Sequence, residues 1–98
     1  MERRLEKAEI VENVNTKFRV HVDESNVLEM ELVRIDEGHS TPRQEQFSLI
    51  FECPLVYLPQ RIYRMEHERM GNISLFLVPI GKTEDKFIYE AVFNRMIK

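Results

Sequence analysis

The feature that most constrains this sequence is its longest apolar run, Asn72–Ile80, which reads N-I-S-L-F-L-V-P-I. The run is short and rich in β-branched and aromatic residues, so it is typical of a strand covered on both faces rather than of a helix. Side chains alternate along a strand. One face therefore carries Ile73, Leu75 and Leu77, and the other carries Phe76, Val78 and Ile80. We expect the protein core to cover one face and an N-terminal helix to cover the other.

The rest of the chain predicts further strands around this central one. A helical period of apolar residues occurs only near the N-terminus, within residues 2–14. Apolar and polar residues alternate in the segments that follow, and a slip in that alternation near Leu32 and Val33 predicts a bulge. The polar stretch Asp36–Gln46 predicts the longest loop, and Gly71 is expected at positive φ in a tight turn. The predicted strands are Lys17–Val22, Val27–Ile35, Phe47–Cys53, Arg61–Glu68, Asn72–Ile80 and Phe87–Phe93.

Short connections imply antiparallel neighbours, so the last three strands should form a meander around the central one. Short strands avoid edge pairing most simply in a closed sheet. The prediction is a single mainly β domain over residues 1–98: an antiparallel barrel or tightly twisted sheet of about six strands, with one short N-terminal helix. Pro54–Gln60 lies between prolines that lack a backbone donor, so it is expected to be a crossover that closes one end of the core.

Composition narrows the classes of function. The formal net charge is −3 with both signs interspersed, whereas a dedicated nucleic-acid-binding protein presents a basic face. The single cysteine, Cys53, cannot form an internal disulfide, which is consistent with a reducing cytoplasm. No segment approaches the roughly 18 apolar residues of a membrane-spanning helix. We expect a protein that is cytoplasmic as synthesised; export or incorporation into a phage-like particle stays open.

A family resemblance appears from Phe47 onward, where the chain reads F-S-L-I-F-E-C-P, Y-L-P-Q, M-E-H-E, L-F-L-V-P-I and Y-E-A-V-F-N in turn. This series resembles a family of small bacterial domains of unknown function. The match covers the C-terminal half, and the N-terminal half fits in layout only. Such domains often occur beside phage tail-like or tail-collar proteins, so the resemblance implies an accessory role in such an assembly. It carries over no functional residue.

Metal, cofactor and nucleophile sites are not predicted. His21, His39, His67 and Cys53 are scattered, and none is paired at a metal-ligand spacing. Cys53 falls on the inward face of an apolar strand, which favours a small buried side chain over a nucleophile. The three glycines form no phosphate-binding loop.

Catalytic carboxylates are not predicted either. Glu29 with Glu31, and Glu66 with Glu68, alternate as charges do on a solvated strand face. In the polar segment that contains Glu66 and Glu68, we expect Glu66 or His67 to make a structural hydrogen bond to a neighbouring turn rather than to act in catalysis. The aromatic residues alternate with aliphatic ones without basic partners, which favours core over a base-stacking platform.

The predicted function is therefore a non-enzymatic structural or protein-interaction module that binds a protein partner or itself. Bulky apolar residues between two prolines need cover, so the candidate interaction surface is Leu55, Val56, Tyr57 and Leu58. Here the chain is bulkier than the resembling family, which often has small residues before L-P-Q. One alternative is a small-ligand-binding β-barrel, although so short a chain rarely has interior volume to spare. Another is a small hydrolase using Glu66 and His67.

Overall fold

The computed structural model describes residues 5–54 and 56–96. One short helix precedes six strands that close into an antiparallel barrel in the order β1-β2-β3-β6-β5-β4. The predicted mainly β class, strand number and barrel are thus confirmed. The elements are α1 (Lys7–Glu12), β1 (Lys17–His21), β2 (Val27–Glu37), β3 (Gln44–Pro54), β4 (Arg61–His67), β5 (Gly71–Lys82) and β6 (Lys86–Met96).

The barrel consists of two three-strand meanders, β1-β2-β3 and β4-β5-β6, as predicted for the last three strands. They join at two pairings of unequal length. The β3–β6 pairing, here called the long seam, has eleven residue pairs from Gln44↔Met96 to Pro54↔Lys86. The β1–β4 pairing, here called the short seam, has three. The crossover from β3 to β4 is the covalent link between the two meanders.

The interior is filled by side chains from alternate strand positions, because successive residues of a strand point to opposite faces. The predicted inward face of β3 is confirmed, and Phe51 meets Phe18 edge to face with ring centroids 5.4 Å apart. The largest of the fully buried side chains are aromatic. Those buried completely or nearly so are Phe18, Phe47, Phe51, Tyr63 and Tyr89.

The predicted bounds of the loop Asp36–Gln46 are wrong, although the residues left between β2 and β3 are as many as those of the crossover between β3 and β4, and no other connection between the described elements is longer. Strand β2 runs on to Glu37 and β3 begins at Gln44, so most of this stretch is a hairpin. The Gly38 N–H donates to the Gln46 carbonyl at 2.9 Å, and the Thr41 N–H donates to the Gln44 carbonyl at 2.8 Å. Backbone pairing needs no apolar side chain, so an exposed polar segment can continue a ladder without an alternating pattern.

Two local predictions are confirmed. The register of β2 against β3 shifts between Leu32 and Arg34, which is the expected bulge. Gly71 has φ 75°, in the left-handed region that glycine adopts without steric cost. The bulge turns Ile35 back toward the core after the slip in the apolar pattern. The backbone conformation of Gly71 allows the chain to reverse direction between β4 and β5.

Each end of the barrel has its own cover. The helix and the residues before it close the end where β1 begins, and Leu5 and Ile10 belong to the core. The crossover after β3 closes the opposite end, where Leu58 is buried. The prediction that this proline-bounded segment closes the core is confirmed. The start of the predicted helix, residues 2–4, lies outside the described residues.

Candidate interaction surface

The central strand has the two apolar faces that its sequence predicts. In β5 the side chains of Ile73, Leu75 and Leu77 are buried in the barrel. Phe76 points outward and is 48% exposed. Ile80 is the extra residue of a bulge between Pro79 and Gly81, and it too is exposed on the outside. Both faces of the strand are therefore apolar, but only one of them is covered.

The prediction that the helix covers the outer face of β5 is wrong. Ile10 is completely buried in the barrel end, and the Arg95 guanidinium donates a hydrogen bond to the Leu5 carbonyl beside it. The Asn15 N–H donates to the Leu32 carbonyl at 2.6 Å and ties the end of the helix to β2. The open end of the barrel lies directly beside the start of β1, so the apolar side chains of this short helical segment fill it.

The uncovered face of β5 continues onto its neighbours. Ile62 of β4 stands opposite Phe76 and is 67% exposed. On the other side, Val78 stands opposite Glu90 of β6, two residues before the exposed Val92. We call this surface the outer apolar stripe. Its members are Ile62, Phe76, Val78, Ile80 and Val92.

The sequence does contain a signal for Ile62 and Val92, the members of the stripe that lie outside β5. Ile62 and Val92 both occupy outward positions of their predicted strands, where polar residues are the rule for a half-buried sheet. Each looked like an isolated exposed apolar residue, which is common on protein surfaces. Only the strand order brings them onto one surface with Phe76.

Two charged side chains border the outer apolar stripe. Arg64 lies on β4, two residues from Ile62, and Glu90 lies on β6, between Val78 and Ile50 in the strand register. Within the part of the chain that the structure describes, neither has an ion-pair or hydrogen-bond partner. Other outward charges do pair, for instance Arg19 with Glu66 at 3.2 Å and Arg34 with Asp36 at 2.8 Å.

The surface predicted from the sequence, Leu55 to Leu58, is only partly exposed. Tyr57 is 61% exposed and Val56 is exposed, but Leu58 is 2% exposed and belongs to the core. Including Leu58 in the surface was therefore wrong. The Tyr89 hydroxyl accepts the Leu58 N–H at 2.7 Å and donates to the Val56 carbonyl at 3.2 Å, which holds the crossover over the barrel end. Leu55 lies outside the described residues.

In the polar segment of β4, the imidazole of His67 is buried and only 5% exposed. Its Nδ1 accepts the backbone N–H groups of Arg69 and Met70, at 3.0 and 3.1 Å. The proton therefore resides on Nε2, which donates to Thr16 Oγ1 at 2.7 Å. Thr16 in turn donates to the Asn13 carbonyl at 2.6 Å. The predicted structural hydrogen bond to a neighbouring turn is confirmed.

Glu66 lies on the opposite face of β4 from His67. Its carboxylate contacts Arg19 Nη2 at 3.2 Å and lies 3.3 Å from His21 Nε2, outside hydrogen-bond geometry. The hydrogen bond from Arg19 and the contact with His21 lower the pKa of Glu66. Because Glu66 and His67 face away from each other, the structure does not bring them together as an acid–base pair. This removes the geometric basis of the hydrolase hypothesis.

The remaining polar candidates are also apart. Cys53 is buried, and burial raises the pKa of its thiol. A cleft of about 330 Å³ beside β2 and β3 is bordered by Glu29, Glu31 and Glu52. Lys17 pairs with the first of these glutamates and Lys86 with the last. Among the residues that the structure describes, no group of three or more His, Cys, Asp and Glu side chains is placed to hold a metal ion. Over the same residues, no helix has the length and apolar character to cross a membrane.

The buried imidazole predicts a pH dependence of stability. Burial, and to a smaller extent the Arg69 charge, lowers the pKa of His67 below its usual 6.5. As the pH falls, the unfolded chain therefore takes up this proton before the folded chain does. We expect the contribution of His67 to be fully present above pH 6.5. It should be lost below that pH, with a slope approaching about 1.4 kcal/mol per pH unit.

Urea unfolding at several pH values measures this effect. His67→Asn is the control, because it removes the titrating group while the carboxylates, which also titrate at low pH, remain. The wild type should lose more stability than His67→Asn between about pH 7 and pH 5. Parallel pH profiles for the two proteins would show that His67 takes up its proton equally in both states.

Comparison with known proteins yields a single finding. A family model described as Domain of unknown function (DUF6916) matches residues 5–93, which include the helix, all of β1–β5 and most of β6. Neither the curated proteins nor the solved structures include a match to the chain. The match extends over both meanders, beyond the C-terminal half that carries the sequence resemblance.

Proposed function

Since the chain belongs to the DUF6916 family, a domain of unknown function, we propose its role from its surface: it is a non-enzymatic protein-interaction module that binds through the outer apolar stripe. The observation that carries this proposal is the uncovered outer face of β5. Phe76 stands there opposite the exposed Ile62 of β4, and Val78 stands opposite Glu90 of β6, two residues before the exposed Val92. Contiguous exposed apolar side chains on a small protein mark interaction sites, because burial of that area on binding is favourable.

The proposed setting is an accessory role in a phage tail-like or cell-surface assembly. Its support is the sequence resemblance to domains that occur beside tail-like proteins, together with the form of the molecule. A barrel with both ends closed offers its outer wall for contact, and a wall that carries an apolar stripe is suited to packing against another protein. The stripe lies on the convex outside of the barrel, whereas small ligands usually bind in concave pockets.

An interior ligand site is not proposed. The barrel holds the rings of Phe18, Phe47, Phe51, Tyr63 and Tyr89, each completely or nearly completely buried. Six-stranded barrels have little room beyond their own side chains. The filled interior therefore argues against the ligand-binding alternative that the sequence left open.

The main test replaces two members of the stripe, Ile62→Ser together with Phe76→Ser. The tagged chain is used to capture proteins from a lysate of its native host, with quantification by mass spectrometry. At least one protein recovered with the wild type should fall by about tenfold or more with the variant, because central apolar contacts dominate binding energy. The matched control is Val11→Ser with Val27→Ser, two exposed valines away from the stripe.

Equal recovery of every protein by the wild type, the stripe variant and the control would remove the stripe as the contact surface. The two serine substitutions fall on outward positions, so the thermal unfolding of the variant should stay cooperative. Circular dichroism checks this before capture.

A second prediction concerns the exposed part of the crossover. Replacing Val56 and Tyr57 with serine should leave folding cooperative, since both side chains are exposed and the Tyr57 ring only touches Phe87 edgewise at 5.8 Å. If the exposed part of the crossover belongs to the contact surface, capture of the same partner should fall by a few fold. This corresponds to a loss of about 1 kcal/mol or less in binding free energy. Undiminished capture would confine the contact to the outer apolar stripe. Unfolding of the variant would show that this part of the crossover belongs to the core.

A further inference from the structure

The two unpaired charges that border the outer apolar stripe point to the identity of one partner. Arg64 lies on the β4 side and Glu90 on the β6 side, with β5 and Phe76 between them. The surface is thus apolar at its centre, positive on one side and negative on the other. A partner that matches it must be apolar at its centre and carry the same two charges in reversed order.

We propose that the outer apolar stripe binds a second copy of this chain in a two-fold symmetric dimer, which deepens the interaction role proposed above and rests on it. A two-fold axis in the plane of contact sets the β4 side of one copy against the β6 side of the other. Arg64 of each copy then meets Glu90 of the other, so the ion pair forms twice. Phe76 and Val78 pack near the axis.

Self-complementarity favours a second copy over an unrelated protein. The distance between Arg64 and Glu90 is the same in both copies, so the two charge pairs are matched in spacing without further adjustment. Each charge also lacks a partner within the described residues of its own chain, so pairing across the contact breaks no existing ion pair. Charge pairs at the border of an apolar contact fix its register.

A contact of ordinary size would use about one-eighth of the surface, since about 800 Å² divided by 6426 Å² is about 0.12. A stable interface buries about 800 Å² on each partner, whereas the chain exposes 6426 Å². Three of the six barrel strands, β4, β5 and β6, contribute to the surface. One contact on this half of the barrel wall leaves the β1-β2-β3 meander and both barrel ends accessible.

The test measures the mass of the full chain in solution by sedimentation velocity, from about 1 µM to about 1 mM. The wild type should form a dimer. Arg64→Glu alone places two acidic groups at each contact, and Glu90→Arg alone places two basic ones. Each variant should therefore have a dimer dissociation constant raised at least about tenfold.

An equimolar mixture of Arg64→Glu with Glu90→Arg provides the sharpest result. In the mixed pair, the two substituted side chains face each other with opposite charges, and the native Arg64 of one copy faces the native Glu90 of the other. A dimer with one copy of each variant should therefore form, although neither variant dimerises alone. Arg43→Glu is the control for charge reversal, since Arg43 lies in the exposed hairpin between β2 and β3. It should dimerise like the wild type.

Three results would overturn the second copy as partner: a wild type that stays monomeric throughout, single variants that dimerise normally, or a mixture that does not associate. If a charge-reversed chain does not fold, Arg64→Gln and Glu90→Gln replace it, each expected to weaken the dimer by a smaller factor. A monomeric wild type whose host partner is still lost with Phe76→Ser would retain the interaction role and reject only the dimer.

Discussion

Replacing His67 with alanine is expected to lower the free energy of unfolding by about 3 kcal/mol. The substitution removes a buried ring that packs on Phe18, with centroids 4.4 Å apart. It also removes the acceptor for two backbone N–H groups, and that of Met70 is buried. A small domain has a total stability of about 5–15 kcal/mol, so this loss should be visible in both the urea midpoint and the melting temperature.

His67→Asn and His67→Gln separate the two halves of this interaction. The asparagine Oδ1 lies at the same distance along the side chain as Nδ1, so His67→Asn can still accept the turn N–H groups but cannot reach Thr16. The glutamine side chain extends as far as the imidazole Nε2, so His67→Gln can still donate to Thr16 but cannot accept the turn N–H groups. Each should recover part of the stability lost in His67→Ala. A loss below about 1 kcal/mol for His67→Ala would contradict a structural role for the imidazole.

Replacing Tyr89 with phenylalanine is expected to cost about 2 kcal/mol, although only one oxygen is removed. That oxygen accepts the N–H of Leu58 at 2.7 Å and donates to the Val56 carbonyl. The Leu58 N–H is buried, so without the hydroxyl it has no acceptor, and a buried unsatisfied donor bears its full desolvation cost. Urea unfolding measures the loss.

Tyr63→Phe is the matched control for Tyr89→Phe. The Tyr63 hydroxyl also contacts the crossover, donating to the Pro59 carbonyl at 2.6 Å. Pro59 is exposed, so water can replace the lost donor, and the cost should be about 1 kcal/mol or less. Equal losses for the two variants would show that burial of the Leu58 N–H does not decide the effect.

The sequence predicts the barrel because most of its strands have a clear alternation of apolar and polar residues. The core positions of β3 and the two faces of β5 follow directly from that alternation. Polar ends of strands do not follow from it. The pairing of Asp36 with Ser48 and of Gln46 with Asn94 extends the sheet through residues whose side chains gain nothing from burial.

The candidate surface was only partly predictable, and for a physical reason. Exposure depends on which part of the chain covers a given face, and this is decided by tertiary packing. The alternation correctly places Phe76 on the outer face, but the helix predicted to cover it fills the barrel end instead. Leu58 looked like a surface residue because its fixed position depends on a distant hydroxyl, that of Tyr89.

The unequal lengths of the two seams have a consequence for how the barrel opens. Eleven residue pairs join β3 to β6, but only three join β1 to β4. The short seam therefore depends more on side chains: Thr16 with His67, Arg19 with Glu66, and Arg61 with the Val22 carbonyl. At the long seam, the ion pairs of β6 with Glu45 and Glu52 only add to the backbone pairs. Side-chain bonds of this kind respond to protonation and to salt, whereas backbone ladders respond to neither. Acid and salt should therefore weaken the pairing of β1 with β4 at the short seam, while the long seam stays closed.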